Sequence, residues 1–315
     1  MAASPKSSEK KPPLREVRFG ERLTPARNLA WSAITSGPGI AWVTILLLIP
    51  LLGIVVMSFL SRGSYGQVGM PLTIDNYRRL AGFGLLGFDP LYPLILARSL
   101  FLAAGTTIVC LAAGFPLAYF IVQLPARAKQ IALTLVIIPF WTNLLIRTYA
   151  WQILLGPDSL LARLATAVGL AEAGQPLYPS ALAVYLGMLA AYLPFLVLPL
   201  YSSFEKLDWS IAEAAMDLGA DGPRVLRHAI LPQVLPGMVA GMLLVFIPAV
   251  GQFVIPDLLG GARTVLLGNA IQQQFGASRD WPFGAAIAFV GMAVVMFGLS
   301  IYARIAGKES EEALL

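Results

Sequence analysis

Six long stretches of this 315-residue chain carry no charge or almost none, and they leave few folds open to it. They cover residues 39–59, 99–121, 131–155, 181–204, 233–256 and 281–302, the third interrupted by Arg147. A hydrocarbon layer about 30 Å thick is crossed by about 20 apolar residues in helical form. Each run is continuously apolar and does not alternate, which excludes membrane strands, whose successive residues face lipid and lumen in turn. Composition agrees, with 57% hydrophobic residues, 12% Asp, Glu, Lys or Arg, and a mean hydropathy of +0.75. A soluble domain carries roughly 25% charged residues, so a dissolved globular enzyme is excluded for want of polar surface. The expected fold class is an all-α membrane protein with six transmembrane helices.

Charge placement then predicts orientation. Of the 22 Lys and Arg, fourteen lie in the N-terminal segment, around 124–130, in 205–232 and after Ala303, and six lie in the alternate set of connections. Positive residues favour the cytoplasmic side, so both termini are expected there. Residues 1–38 read as a partly disordered cytoplasmic tail that touches anionic headgroups near Arg22 to Trp31. The membrane domain covers 39–304, and a short cytoplasmic tail covers 305–315. One cysteine, Cys110, and one histidine, His228, leave no thiolate cluster and no metal constellation.

The connection at 205–232 carries the strongest local pattern. Ser210 with Glu213 three residues later has the spacing of a capping box, and Ala212, Ala214 and Ala215 favour helix. Gly219 ends that helix, Gly222-Pro223 turns the chain, and a second amphipathic helix follows. A short helix on the cytoplasmic face is suited to docking in a cleft of another protein. No Gly-x-x-x-x-Gly-Lys-Ser/Thr phosphate loop occurs, since Gly307-Lys308 lacks both the earlier glycine and the following hydroxyl residue. Any ATP must therefore be bound by a partner.

Glu213-Ala214-Ala215, then Asp217, Gly219 and the run ending in Leu231-Pro232, resembles the coupling loop of ABC-importer permeases. Ala229 departs from the branched aliphatic residue more usual in that family. Pro236 to Gly241, Phe246 to Gly251, Ile255 to Gly261, Arg279 to Gly284, Leu145 to Trp151 and Tyr192 to Pro199 are similar to the spermidine/putrescine permeases, specifically the first of their two unlike membrane subunits. The resemblance covers about 40–302. It implies the type I importer fold in a bacterial inner membrane, with Glu213, Ala214, Ala215, Asp217, Gly219 and Pro232 at the ATPase contact. The implied partners are a second permease subunit, an ATPase dimer holding ATP and Mg, and an external substrate-binding protein, with membrane lipid around them and no nucleic acid.

Charges in or beside apolar spans are costly and mark pathway candidates. A cationic polyamine calls for carboxylates and aromatic faces, each cation–π contact being worth about 0.5–2 kcal/mol. Asp257 with Trp141, Tyr149, Trp151, Tyr192 and Trp281 meets that need, and interfacial anchoring is the competing role for the aromatics. Arg147 would repel a polycation and is expected as a gate or in a pair with Asp257 or Asp280. Gln252 stands where related subunits sometimes have a carboxylate, which keeps another small solute, amino-acid-derived or opine-like, in competition. Gly237 and Gly241 form a face for close helix approach, within this subunit or at a moving seam. An ATPase-independent secondary transporter would show inverted repeats or an intramembrane ionisable relay, and neither is evident. An intramembrane enzyme lacks its nucleophile, metal or paired carboxylates.

Overall fold

Apolar runs in lipid must satisfy their own backbone hydrogen bonds, which is why they fold as long helices. The computed structural model describes residues 25–63, 68–84, 87–169, 174–261 and 265–312, with side chains described from 37 to 300. The basic segment through residue 24 lies outside the described residues. Helix α1 (Pro25–Ser58) contains the first span; its length through Gly53 belongs to a first unit, described by itself, and its last residues to the second.

The second unit begins at Ile54. Strands β1 (Leu60–Arg62) and β2 (Val68–Leu72) pair antiparallel, followed by α2 (Asp75–Leu80) and the small antiparallel pair β3 (Phe83–Gly84) and β4 (Gly87–Phe88). Helices α3 (Leu91–Gln123), α4 (Ala126–Ile137), α5 (Leu144–Leu154), α6 (Leu160–Ala167) and α7 (Ala181–Glu205) come next. They lead to α8 (Trp209–Asp217), α9 (Gly222–Val225), α10 (Leu231–Val250), α11 (Val254–Gly260), α12 (Leu267–Phe275) and α13 (Trp281–Glu312). Among the described residues, five helices are long and apolar enough to cross a membrane, and the count rises to six if the helix pair 126–141 and 144–154, bent by 101°, is one span.

Helices α3, α7 and α10 form the centre. Lipid tails are as apolar as leucine, so close van der Waals packing, rather than water exclusion, holds such helices together. Gly237 and Gly241 supply it. A Cβ on Gly237 would lie 2.7 Å from the Pro199 carbonyl oxygen and against Ser203, and one on Gly241 would lie 3.0 Å from the Leu196 carbonyl oxygen. The glycine face therefore meets α7 within this subunit. Serine and threonine in the spans bond back to the preceding turn, as Thr107 Oγ1 does to the Ala103 carbonyl at 2.8 Å and Thr148 Oγ1 to Leu144 at 2.8 Å. Two buried clusters result. One gathers Cys110, Met188, Leu196, Val245, Ile255, Leu259 and Phe283, and the other Ile121, Val197, Leu200, Phe204, Val225 and Val234.

Three expectations need correction. The run 131–155 is not one helix. It breaks at Thr142-Asn143, because Pro139 tightens the chain into a 3₁₀ turn over Ile138–Trp141 and Asn143 caps a new helix, its side chain accepting from Leu145 N at 2.8 Å. The run 233–256 ends as a helix at Val250, and Gln252 starts α11 by accepting from Phe253 N at 2.9 Å and Val254 N at 3.1 Å. The second amphipathic helix expected after Gly222-Pro223 is not separate. Residues Gly222–Val250 form one continuous helical span, so that proline pair opens it instead of turning away from it.

Candidate functional site

Helix α8 is placed by its neighbours at both ends. Its cap is Asp208, not Ser210. The Asp208 carboxylate accepts from Ser210 N at 3.0 Å and from Ser210 Oγ at 2.8 Å, so the expected Ser210–Glu213 capping box does not form. An acidic side chain two residues earlier offers a better acceptor for the free N–H groups. Gly219 closes the helix with φ +84°, a left-handed conformation that a side chain resists, and no atom lies within 4 Å of a Cβ there. Gly219 N reaches the Met216 carbonyl and Ala220 N the Ala215 carbonyl.

One face of α8 is inward. Ala212 is buried, and Ala215 packs with it on Phe204, Leu207, Val225, Ala229 and Ile230. The other face is outward: Glu213, Ala214 and Asp217 are exposed, as are Ile211, Met216 and Leu218, the last at 89%. Isolated exposed leucines are ordinary, but with Trp209 there are four large apolar side chains exposed on this one nine-residue helix and its turn. Pro232 lies beyond a widened turn over Leu226–Ile230, in which Leu231 N bonds five residues back to Leu226. Proline has no N–H, and its ring crowds the carbonyl four residues earlier, which accounts for the widening.

The pathway candidates do not gather in one site, though Arg147 lies within electrostatic reach of Tyr192. Tyr192 and Gln252 meet, with Gln252 Nε2 donating to the Tyr192 hydroxyl at 3.2 Å. Trp151 and Arg147 line a groove of about 570 Å³ between α3, α4, α5 and α7, with Leu135, Pro139, Leu193 and Pro194. Arg147 is the one charged residue lining it, and its Nε and Nη1 are buried without a hydrogen-bond partner. Trp141 and Tyr149 are exposed.

Arg147 pairs with neither expected acid. Asp257 accepts from Asn269 Nδ2 at 2.7 Å, which ties α11 to α12. Asp280, 5% exposed, accepts from Arg79 Nη1 at 2.9 Å, with Arg62 Nη1 at 3.9 Å. The Arg79 guanidinium also stacks 3.9 Å from the centre of the Phe283 ring. Both acids are thus engaged by groups outside the apolar runs, which relieves the cost of their burial. Trp281 packs edge-on with Phe275 at 6.0 Å.

Arg79, Arg62 and Asn269 hold these contacts and were not singled out from sequence. Arg79 and Asp280 lie 201 positions apart, so no local spacing announces them. The proline that shapes the widened turn was visible, while the turn itself was not.

The chain matches the family model for binding-protein-dependent transport system inner membrane components over residues 110–309. It is 39% identical over 269 residues, 85% of this chain and 91% of the relative, to the spermidine/putrescine transport system permease protein PotB of Haemophilus influenzae. The PotB of Escherichia coli K12 is 41% identical, with 84% of this chain and 94% of that protein covered. A crystal structure of a bacterial alginate ABC transporter, in complex with a periplasmic protein bound to an alginate pentasaccharide, aligns with a TM-score of 0.61 at 14% identity over 89% of this chain and 96% of the matched chain. At that identity the likeness speaks for the fold, which is that of a type I ABC-importer permease. This chain belongs to the family of binding-protein-dependent transport system inner membrane components, as a non-catalytic permease subunit of an ABC importer.

Proposed function

We propose that this permease imports polyamines of the spermidine and putrescine type, as the first of two unlike membrane subunits. The observation that carries this reading is identity of 39% across 91% of a spermidine/putrescine permease. In this reading the α8 side faces the cytoplasm, with both termini. An ATPase pair binding ATP and Mg engages Glu213, Ala214, Ala215, Asp217, Gly219 and Pro232 and the apolar side chains beside them. An external binding protein delivers the solute, and closing of the ATPases drives alternating access.

Arg147 has a negative role here. An unpaired guanidinium in an apolar groove opposes a polycation, so the solute passes elsewhere and Arg147 serves as a boundary or a contact of the second subunit. Tyr192 and Gln252 offer a hydroxyl and an amide near the break after α10, while Asp257 offers the oxygen not already held by Asn269.

The test is uptake of labelled spermidine and putrescine by cells stripped of their own polyamine importers and given this permease with its partner subunits. ATP-dependent uptake of either supports the reading. Uptake of a neutral or anionic solute in their place, with polyamines ignored, would sink it in favour of an amino-acid-derived or opine-like solute. Replacing Gly219 by leucine forces a side chain into the left-handed position and should abolish uptake; normal uptake there removes α8 from the coupling role.

A further inference from the structure

Gln233 stands one residue beyond Pro232, at the foot of the fifth span, and its side-chain amide is used at both ends. Its Oε1 accepts from Asp208 N at 3.1 Å, at the cap of α8. Its Nε2 donates to the Ala229 carbonyl at 2.8 Å, within the widened turn. One half-buried side chain thus joins three pieces: the start of α8, the widened turn and α10. The remaining support of α8 on the span is apolar, through Ala212 and Ala215 on Val225, Ala229 and Ile230. Apolar contacts resist separation but allow sliding, whereas a two-ended amide fixes direction as well as distance.

The widened turn makes that fixing consequential. A five-back hydrogen bond at Leu231 is looser than the ordinary ladder, so a helix containing one bends there more readily than elsewhere. A push on α8 that reached the span only through this turn would be spent in bending it. We propose that Gln233 is a positioning residue of the transport cycle: its amide braces α8 across the widened turn, so that displacement of α8 reaches α10 undiminished. This rests on the reading of α8 as the ATPase contact.

The experiment uses the complete transporter in proteoliposomes, with spermidine uptake and ATP hydrolysis followed in the same vesicles. Gln233→Met keeps the length and removes both hydrogen bonds. Gln233→Glu keeps an acceptor for Asp208 N, loses the donor to Ala229 and sets a carboxylate oxygen against that carbonyl. The expected result is a fall in uptake per ATP hydrolysed of about five-fold for Gln233→Met, the factor set by roughly one net hydrogen bond, with partial recovery in Gln233→Glu. Thermal stability and subunit content should stay near the parent's. A parental uptake-to-hydrolysis ratio in Gln233→Met overturns the proposal, as does a lowered melting temperature with the ratio unchanged, which marks a folding contact only. Gly219→Leu is measured alongside. If it uncouples and Gln233→Met does not, the brace alone is wrong; if Gly219→Leu leaves the ratio intact, α8 is not the coupling element.

Discussion

Single atoms decide much of the packing. A methyl group on Gly237 would have to share space with Ser203 and with a Pro199 carbonyl oxygen 2.7 Å away. Gly237→Ala is therefore expected to destabilise the purified complex by about 1–3 kcal/mol, the usual cost of overpacking. Gly298→Ala, where nothing lies within 4 Å, should leave the melting temperature unchanged or raised. Equal melts for the two variants would contradict this account of the α7–α10 contact. Arg147 predicts the reverse balance. Two buried guanidinium nitrogens without acceptors are a standing cost, so Arg147→Met should stabilise by about 1–2 kcal/mol while reducing transport. Loss of stability there would show that the assembled complex supplies an anionic partner for Arg147.

At the level of elements, caps determine where helices begin. Asp208→Ala removes the acceptor for Ser210 N and should cost about 1 kcal/mol, seen as faster amide exchange in the first turn of α8 with α7 unaffected. Unchanged exchange would mean that the apolar seat alone holds the helix. This element was largely legible in the sequence, since alanines, a closing glycine and flanking turns are all local signals. Its cap was not, because Asp208 and Ser210 are both good caps and only the geometry of the preceding link chooses between them. The break at Thr142-Asn143 was hidden for another reason. Hydropathy averages over a window, and an apolar helix pair bent by 101° reads as one straight span. Asp257 and Asp280 were recognisable as costly charges, but their partners Asn269 and Arg79 come from other elements, and no periodicity links them.

Across the whole molecule, accessibility gives a direct check. Cys110 is the single cysteine and is fully buried, which keeps it from contact with reagents. The folded protein should resist maleimide labelling, whereas Leu218→Cys, at a position 89% exposed, should label fully and be shielded when the ATPases are bound. Labelling of Cys110 at the same rate would contradict the packing of α3 on α7. The glycine contact described above also limits how the molecule moves. Helices whose backbones touch at Gly237 and Gly241 mesh like gear teeth: sliding by a single residue, about 1.5 Å, drives side chains into the Pro199 and Leu196 carbonyls. Helices α7 and α10 must then swing as one plate, and the hinges of any rocking motion fall at its margins, where the chain is already broken.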